Sequence, residues 1–186
     1  MKAVVYESYG PPDVLHLTEV EKPTPADDQI LIKIHAVSIN GSDRERLIGR
    51  PLYSRIGGLL RPGYPILGSD IAGRVEFAGK NHTEFKPGDE VFGELPGYQG
   101  GFAEYACTRG RTLALKPASL TFEQAAAIPQ AGVIAYQGIC ATGQVQPGEK
   151  VLINGAGGSG GSFAIQLARL YGAHVTGVDN TGKLDF

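Results

Sequence analysis

Short runs of alternating apolar and polar residues, separated by glycine and proline, fill the first two thirds of the chain. In 15–20 apolar and polar residues alternate over the first four positions, and 29–34 is rich in β-branched residues, which is the pattern of a strand. Turn-forming residues at 86–89 reverse the chain between two such runs. The pattern predicts an antiparallel β domain over residues 1–120. Its other predicted strands are 71–77, 90–92 and 102–107.

The pattern changes after residue 120, where helical spacing replaces alternation. Thr121 is placed to cap the first helix, and a glycine-rich turn separates a later strand from the helix that follows it. The order strand, glycine turn, helix, strand predicts a βαβ unit, so a second domain is expected over 121–186. The predicted elements are helices over 122–127, 132–141 (largely buried) and 162–171, and strands over 150–154 and 174–179.

A short helix and a long loop are predicted within the first domain. Ser42, with Glu45 three residues later, matches the capping-box pattern of a helix that Gly49 would end. Residues 51–65 contain three glycines and two further basic residues, so we expect a mobile surface loop. Loops of this composition often line binding sites.

The glycine-rich turn satisfies the dinucleotide-binding pattern G-x-G-x-x-G at Gly155, Gly157 and Gly160. The three positions serve a tight turn, close approach of a pyrophosphate to the backbone, and close packing of helix on strand. Free N–H groups where the helix starts, with Gly158 and Ser159 in the loop, would hold the pyrophosphate. Asp179 lies 19 positions beyond Gly160, at the end of the next strand, where a carboxylate binds ribose hydroxyls.

Charge and composition limit the classes of partner that the protein is expected to bind. The formal net charge is −2 and no long run of like charge occurs, so we expect no binding to nucleic acid or to an anionic membrane. No apolar stretch is long enough to span a bilayer or to act as a secretory leader, which favours the cytoplasm. The two cysteines, Cys107 and Cys140, form no metal or redox motif. A small-molecule substrate is expected.

The order and spacing of several motifs resemble one family along the whole chain. The sequence is similar to the medium-chain dehydrogenase/reductase superfamily, and within it to the zinc-independent quinone oxidoreductase and zeta-crystallin branch. That resemblance implies a GroES-like β domain followed by a Rossmann domain. The motifs are Pro23, QILIK at 29–33, INGSD at 39–43, LGSDIAG at 67–73, FKPGDEVF at 85–92 and GFAEY at 101–105.

The resemblance also implies that catalytic zinc is absent. Zinc enzymes of the superfamily have cysteine at the position of Asn40 and histidine at that of Ser69. An amide and a hydroxyl do not replace these zinc ligands, so no metal is expected. The four-cysteine lobe that holds a structural zinc in many relatives is missing as well.

By resemblance, Asn40, Asp43 and Tyr53 are the candidate catalytic residues beside the nicotinamide. Each also has a structural interpretation that stays open: Asn40 as a turn former, Asp43 as part of a helix start, and Tyr53 as a loop aromatic. Hydride addition to a quinone or an enone needs alignment and stabilisation of a developing oxyanion, so we expect reduction of such substrates. The alternatives are a zinc-free alcohol dehydrogenase-like enzyme and a non-catalytic β module.

The cofactor is expected to be NAD(P)(H). Asp179 favours NADH, because a carboxylate accepts from the ribose 2′-hydroxyl and repels a 2′-phosphate. Asn180, Thr181 and Lys183 favour NADPH, because they can donate to that phosphate. A single exposed lysine recovers little energy, so the balance favours NADH.

Only two strands of the second domain are present, whereas a Rossmann domain needs about six. We therefore expect the chain to be a fragment that does not turn over alone, and the full-length protein to be a homodimer.

Overall fold

The computed structural model describes residues 1–97 and 99–183, so the last three residues of the predicted second domain lie outside the described residues. The chain divides into two compact units, Met1–Pro129 and the residues from Gln130 onward. The first unit contains two antiparallel sheets. The second contains a parallel strand pair and most of the longer helices.

The first unit begins with a two-stranded antiparallel sheet and continues with a five-stranded one. Strands β1 (Lys2–Val5) and β2 (His16–Glu19) form the small sheet. The large sheet has the order β6-β3-β4-β5-β7, and every pairing in it is antiparallel. Its strands are β3 (Ile30–Val37), β4 (Asp70–Ala78), β5 (Glu90–Glu94), β6 (Tyr105–Thr108) and β7 (Leu113–Leu115).

The alternation of apolar residues along these strands builds the core of the first unit. Ile30 and Ile32 of β3, Ile71 and Val75 of β4, and Val91 of β5 are each at most 1% exposed. They pack into one cluster with Leu95 and Ala106. Burial of side chains of this size stabilises the fold by about 1.5–3 kcal/mol each. The predicted antiparallel β region is therefore present, with a continuous apolar core.

Two short helices lie in the first unit, and one of them begins earlier than predicted. Helix α1 (Gly41–Ile48) has Asn40 as its N-cap and Asp43 as the partner of the capping box. The predicted box of Ser42 and Glu45 is therefore wrong by two residues, because Asn40 is itself a strong N-cap with a carboxylate three positions later. Gly49 ends the helix as predicted, with φ of 70°.

The second short helix, α2 (Phe122–Ala126), starts at the predicted cap. Thr121 Oγ1 accepts from the Gln124 N–H at 3.2 Å, and Gln124 Oε1 accepts from the Thr121 N–H at 2.9 Å. The helix packs on β3, β4 and β5 of the large sheet, where Ala125 and Ala126 form a buried cluster with Ala72. The division into domains at residue 120 stays a prediction.

The second unit contains the predicted βαβ arrangement. Strands β8 (Lys150–Asn154) and β9 (His174–Val178) pair in parallel, from Lys150 opposite His174 to Asn154 opposite Val178. Helix α4 (Ser159–Leu170) connects them and begins three residues earlier than predicted.

The segment before β8 differs from its prediction. Helix α3 (Pro129–Tyr136) continues into a π-helical segment, Gln137–Thr142. The side chains of Val133, Ile134 and Tyr136 are 53%, 60% and 54% exposed, so this stretch is not largely buried as predicted. No helix among the described residues combines the length and the apolar character that crossing a bilayer requires.

Candidate functional site

The three candidate catalytic residues lie at the start of α1 and in the loop after it, all in the first unit. Asn40 and Asp43 are joined directly, since the Asn40 backbone N–H donates to Asp43 Oδ2 at 2.7 Å. Tyr53 lies in a 3₁₀ turn, Leu52–Arg55. Its hydroxyl donates to Glu45 of α1 at 2.7 Å, so all three residues are connected to one helix.

Asp43 has the structural role of a buried linker. It is 3% exposed, and its second oxygen, Oδ1, accepts from the Gly68 N–H at 3.0 Å. Burial raises the pKa of this carboxyl, and the N–H donors of Asn40 and Gly68 act in the opposite direction. Both oxygens are used inside the protein. Asp43 therefore positions Asn40, and its catalytic role stays a prediction.

Asn40 and Tyr53 keep polar atoms at the surface. The Asn40 side-chain amide donates to Ser38 Oγ at 3.3 Å and is half-buried. Tyr53 is 60% exposed, and its hydrogen bond to Glu45 raises the pKa of its hydroxyl. The Tyr53 hydroxyl already donates its proton to Glu45. It can donate to a substrate oxygen only if this hydrogen bond is broken.

The glycine-rich turn of the second unit lies between β8 and α4. Gly155 has φ of 80°, and its N–H donates to Val178 O at 2.8 Å, which ties the turn to the end of β9. This left-handed conformation is one that glycine adopts at little cost. The expected tight-turn role of Gly155 is therefore confirmed.

The position where helix and turn pack closely is Gly161, not Gly160. A Cβ atom on Gly161 would lie 2.1 Å from Gly155 O, whereas one on Gly160 would meet no atom within 4 Å. The assignment of close packing to Gly160 is wrong. The motif spacing selects Gly160, because a motif ending at Gly161 would need glycine at position 156, which is alanine. The close contact at Gly161 is seen only in the structure, where α4 begins at Ser159.

The end of β9 places Asp179 against the glycine-rich turn. Its Oδ2 accepts from the Gly157 N–H at 2.9 Å, and its Oδ1 accepts from the Asn180 N–H at 2.7 Å. These two hydrogen bonds lower the pKa of the Asp179 carboxyl, and the bond from Asn180 is the larger cause. A Cβ on Gly157 would lie 2.8 Å from Lys183 Cβ. The motif, Asp179, Asn180 and Lys183 thus lie close together.

The start of α4 has the chemistry of an anion site. The first N–H groups of a helix have no acceptor within it, and here they belong to Ser159, Gly160 and Gly161. The helix dipole adds positive potential at the same end. The N-cap, Gly158, has no side chain of its own beside these donors. The residues present fit a dinucleotide pyrophosphate.

The positions that hold catalytic zinc in other members do not fit that metal. Asn40 supplies an amide, and the Ser69 hydroxyl, which is fully buried, donates to Asp70 Oδ1 at 3.1 Å. Within residues 1–97 and 99–183, no group of three His, Cys, Asp or Glu side chains is arranged to bind a metal. The absence of zinc stays a prediction that rests on these donors.

Comparison with known proteins identifies the family. The alcohol dehydrogenase GroES-like domain matches residues 26–118. The chain therefore belongs to this family, within the zinc-independent quinone oxidoreductase branch of the medium-chain dehydrogenase/reductase superfamily. The resemblance of the sequence and the expected fold class are confirmed.

The relatives are similar over the whole of this chain but extend beyond it. Human quinone oxidoreductase is 39% identical over 183 residues, which are 97% of this chain and 53% of the relative. The 2-methylene-furan-3-one reductase of Solanum lycopersicum is 38% identical over 195 residues, which are 100% of this chain and 49% of the relative. The structure of Escherichia coli quinone oxidoreductase complexed with NADPH superposes with a TM-score of 0.86 and 29% identity, covering 100% of this chain and 55% of that one. The chain spans about half the length of these relatives.

Proposed function

We propose that the whole protein containing this chain is an NAD(P)H-dependent oxidoreductase that reduces quinones or α,β-unsaturated carbonyl compounds. The observation that carries the proposal is the second unit's arrangement of Gly155, the start of α4 and Asp179. Asp179 is anchored 2.9 Å from the Gly157 N–H, at the loop where a pyrophosphate would bind. The relatives' names, quinone oxidoreductase and 2-methylene-furan-3-one reductase, support the same class of reaction.

Each part of the proposed cofactor site has its own task. The N–H groups of Ser159, Gly160 and Gly161 bind the pyrophosphate, and Asp179 accepts from the adenosine ribose. Asn180 orients Asp179 through its backbone N–H, and Lys183 lies beside Gly157 near Asp179. When bound, the nicotinamide supplies a hydride. We favour NADH, because the ionised Asp179 repels a 2′-phosphate.

The first unit would supply hydrogen-bond donors for the substrate oxygen. Asn40 is held by Asp43, and its side-chain amide lies half-exposed beside Ser38. Tyr53 exposes its hydroxyl next to Glu45. A carbonyl oxygen that gains negative charge during hydride addition is stabilised by such donors. The Asn40 amide and the Tyr53 hydroxyl can stabilise that oxygen without a metal.

Titration of the whole protein with NADH and with NADPH tests the cofactor part of the proposal. We expect saturable binding of NADH that Gly157→Asp abolishes, because the new side chain would collide with Lys183 and add a second carboxylate beside Asp179. Asp13→Ala, at an exposed position of the first unit, is the matched control and should bind normally. Unchanged affinity in Gly157→Asp would reject the assigned loop.

Steady-state kinetics test the substrate part. In the whole protein, Tyr53→Phe and Asn40→Ala should lower kcat by about tenfold or more while the Kd for cofactor stays within about twofold. Exposed Tyr64, changed to Phe, is the control for Tyr53. If both variants reduce quinones and enones at the parental rate, the donors lie elsewhere.

Three further expectations complete the proposal. The substrate is a small molecule, the whole protein is a homodimer, and the compartment is the cytoplasm. Light scattering of the whole protein after size-exclusion chromatography tests the dimer, and imaging of the tagged protein tests the compartment.

A further inference from the structure

The two proposed hydrogen-bond donors for the substrate are both tied to helix α1, although neither is part of it. Asn40 precedes the helix, and its backbone N–H donates to Asp43 Oδ2 at 2.7 Å. Tyr53 follows the helix, and its hydroxyl donates to Glu45 Oε2 at 2.7 Å. Asp43 and Glu45 both belong to α1. One short helix therefore holds the backbone of the first donor and the hydroxyl of the second.

The backbone around Tyr53 is held separately from its hydroxyl. In the 3₁₀ turn the buried Ser54 donates through Oγ to Pro51 O at 2.7 Å. Arg55 Nε donates to Gly49 O at 2.9 Å, which joins the turn to the end of α1. The hydroxyl lies at the other end of the tyrosine ring, where it is held by its bond to Glu45. The contact with Glu45 therefore sets the direction of the O–H group.

A carboxylate has a specific effect as the acceptor in this contact. An ionised acceptor forms a stronger hydrogen bond than a neutral one, and its charge opposes loss of the tyrosine proton. The bond to Glu45 is the largest cause that raises the pKa of Tyr53 above its usual 10.0. Arg55 lies in the same turn, but its guanidinium bonds to Gly49 O and lies 4.6 Å from the centre of the Tyr9 ring. Tyr53 thus keeps its proton where an ordinary tyrosine begins to lose it.

We propose that Glu45 is a positioning residue for the reduction, which holds the Tyr53 hydroxyl beside α1 until a substrate oxygen takes over its hydrogen bond. The proposal rests on the proposed function of Tyr53 as a donor. Glu45 itself contacts no substrate. Its carboxylate holds the hydroxyl in one place before each turnover and receives it again afterwards.

Competition between Glu45 and the substrate favours the transition state. Tyr53 has one O–H group, so it donates either to Glu45 or to the substrate. A neutral carbonyl oxygen is a weaker acceptor than a carboxylate, whereas the oxyanion that develops during hydride addition is a strong one. The exchange therefore strengthens as the reaction proceeds, and such differential binding raises kcat rather than affinity for the substrate.

An NMR titration of isotope-labelled tyrosine rings in the 186-residue chain tests the pairing directly. Glu45→Gln keeps the side-chain length, an acceptor and a similar helix propensity but removes the charge, so the pKa of Tyr53 should fall. The Tyr53 signal is the one that Tyr53→Phe removes, which separates it from Tyr9, a neighbouring tyrosine. Arg46, Arg50 and Arg55 keep their charge throughout the titration and add no step of their own.

Glu84→Gln, at an exposed position outside α1, is the matched control and should leave the pKa of Tyr53 unchanged. If Glu45→Gln also leaves it unchanged, the positioning role is overturned, whatever reaction the whole protein catalyses.

Steady-state kinetics of the whole protein test the consequence for the reaction. Glu45→Gln should lower kcat by about threefold or more, with an equal or lower KM for the quinone or enone and a cofactor Kd within about twofold of the parent. The alkaline limb of kcat/KM should move to lower pH, in the same direction as the pKa of Tyr53. Glu84→Gln should have the parental kcat and the parental pH profile.

A double variant shows whether Glu45 acts through Tyr53. Glu45→Gln combined with Tyr53→Phe should be no slower than Tyr53→Phe alone, because the hydroxyl that Glu45 holds is already missing. Losses that multiply in the double variant would overturn the proposal. A parental rate in Tyr53→Phe would instead reject the proposed function of Tyr53, and with it the positioning role, even where the NMR titration shows the pairing.

Discussion

Asp43 joins the start of α1 to the start of β4 through one buried carboxylate. Its two oxygens accept from the backbone N–H groups of Asn40 and Gly68 at 2.7 and 3.0 Å. Hydrogen bonds to a charged group contribute about 1.5–3 kcal/mol each, and donors left buried without an acceptor are costly. The geometry of Asn40 therefore depends on Asp43.

We predict that Asp43→Ala lowers the free energy of unfolding of the 186-residue chain by about 2–4 kcal/mol, because two backbone donors lose their acceptor. Urea unfolding followed by circular dichroism measures the change. Asp13→Ala, at an exposed position, should differ from the parent by about 0.5 kcal/mol or less. Equal stability of the two variants would show that Asp43 is dispensable for the fold.

Gly160 and Gly161 of α4 are adjacent, and alanine at each position tests which of the two packs against the glycine-rich turn. Gly161→Ala should destabilise the chain by about 1–3 kcal/mol, because its Cβ would lie 2.1 Å from Gly155 O. Gly160→Ala faces open space and gains helix propensity, so its stability should be equal or higher by up to about 1 kcal/mol. Thermal unfolding measures the stability of both variants. A Gly160→Ala variant less stable than Gly161→Ala would contradict the close packing of Gly161.

At the scale of elements, Lys116 connects the end of β7 with the segment that leads to α2. Its side chain is 5% exposed, and Nζ donates to Glu90 Oε2 at 3.0 Å and to Leu120 O at 2.7 Å. The ammonium also lies 5.2 Å from the centre of the Phe122 ring. These contacts hold α2 over the large sheet.

We predict that Lys116→Met lowers the free energy of unfolding by about 1–3 kcal/mol at neutral pH, since the Leu120 carbonyl and Glu90 both lose a donor. Lys80→Met is the matched control, because the Lys80 side chain is 73% exposed and forms an exposed ion pair with Asp27. That control should change stability by at most about 0.5 kcal/mol.

The effect of Lys116 should depend on pH in a defined direction. Its hydrogen bond is the main cause that lowers the pKa of Glu90 below its usual 4.5, with a further contribution from Arg74. A depressed carboxyl pKa stabilises the fold above the unfolded-state value, and the stabilisation is lost as pH falls through the folded-state value. The difference between parent and Lys116→Met should therefore shrink below about pH 4.5. A difference that grows on acidification would contradict this pairing.

Sequence patterns predicted helices and strands better than they predicted which residues contact one another in the fold. The cap at Thr121 was predicted because the apolar run from Phe122 follows it directly, whereas its box partner Gln124 was not predicted. The α1 box was misplaced because Asn40 and Ser42 are both good caps, and Gly68, which completes the role of Asp43, is distant in sequence. The close contact of Gly161 with the turn depends on where α4 begins, which the glycine run itself does not determine.

At the scale of the whole molecule, the candidate chemistry is divided between two units. Asn40 and Tyr53 belong to the first, and the glycine-rich turn with Asp179 belongs to the second. Catalytic predictions therefore apply to the whole protein, whereas stability is measured on this chain. The choice between NADH and NADPH is the functional property that residues of the second unit would determine.

The last prediction is that Asp179 sets this choice. Two N–H donors keep its carboxyl ionised, so in the whole protein it should accept from a ribose 2′-hydroxyl and repel a 2′-phosphate. Asp179→Asn keeps an acceptor for the Gly157 N–H but removes the charge. It should raise the ratio of kcat/KM for NADPH to that for NADH by about tenfold, or about 1.4 kcal/mol. Asp13→Asn should leave the ratio unchanged. A parent that already prefers NADPH, or an Asp179→Asn variant with the parental ratio, would show that the carboxylate serves only to hold Gly157.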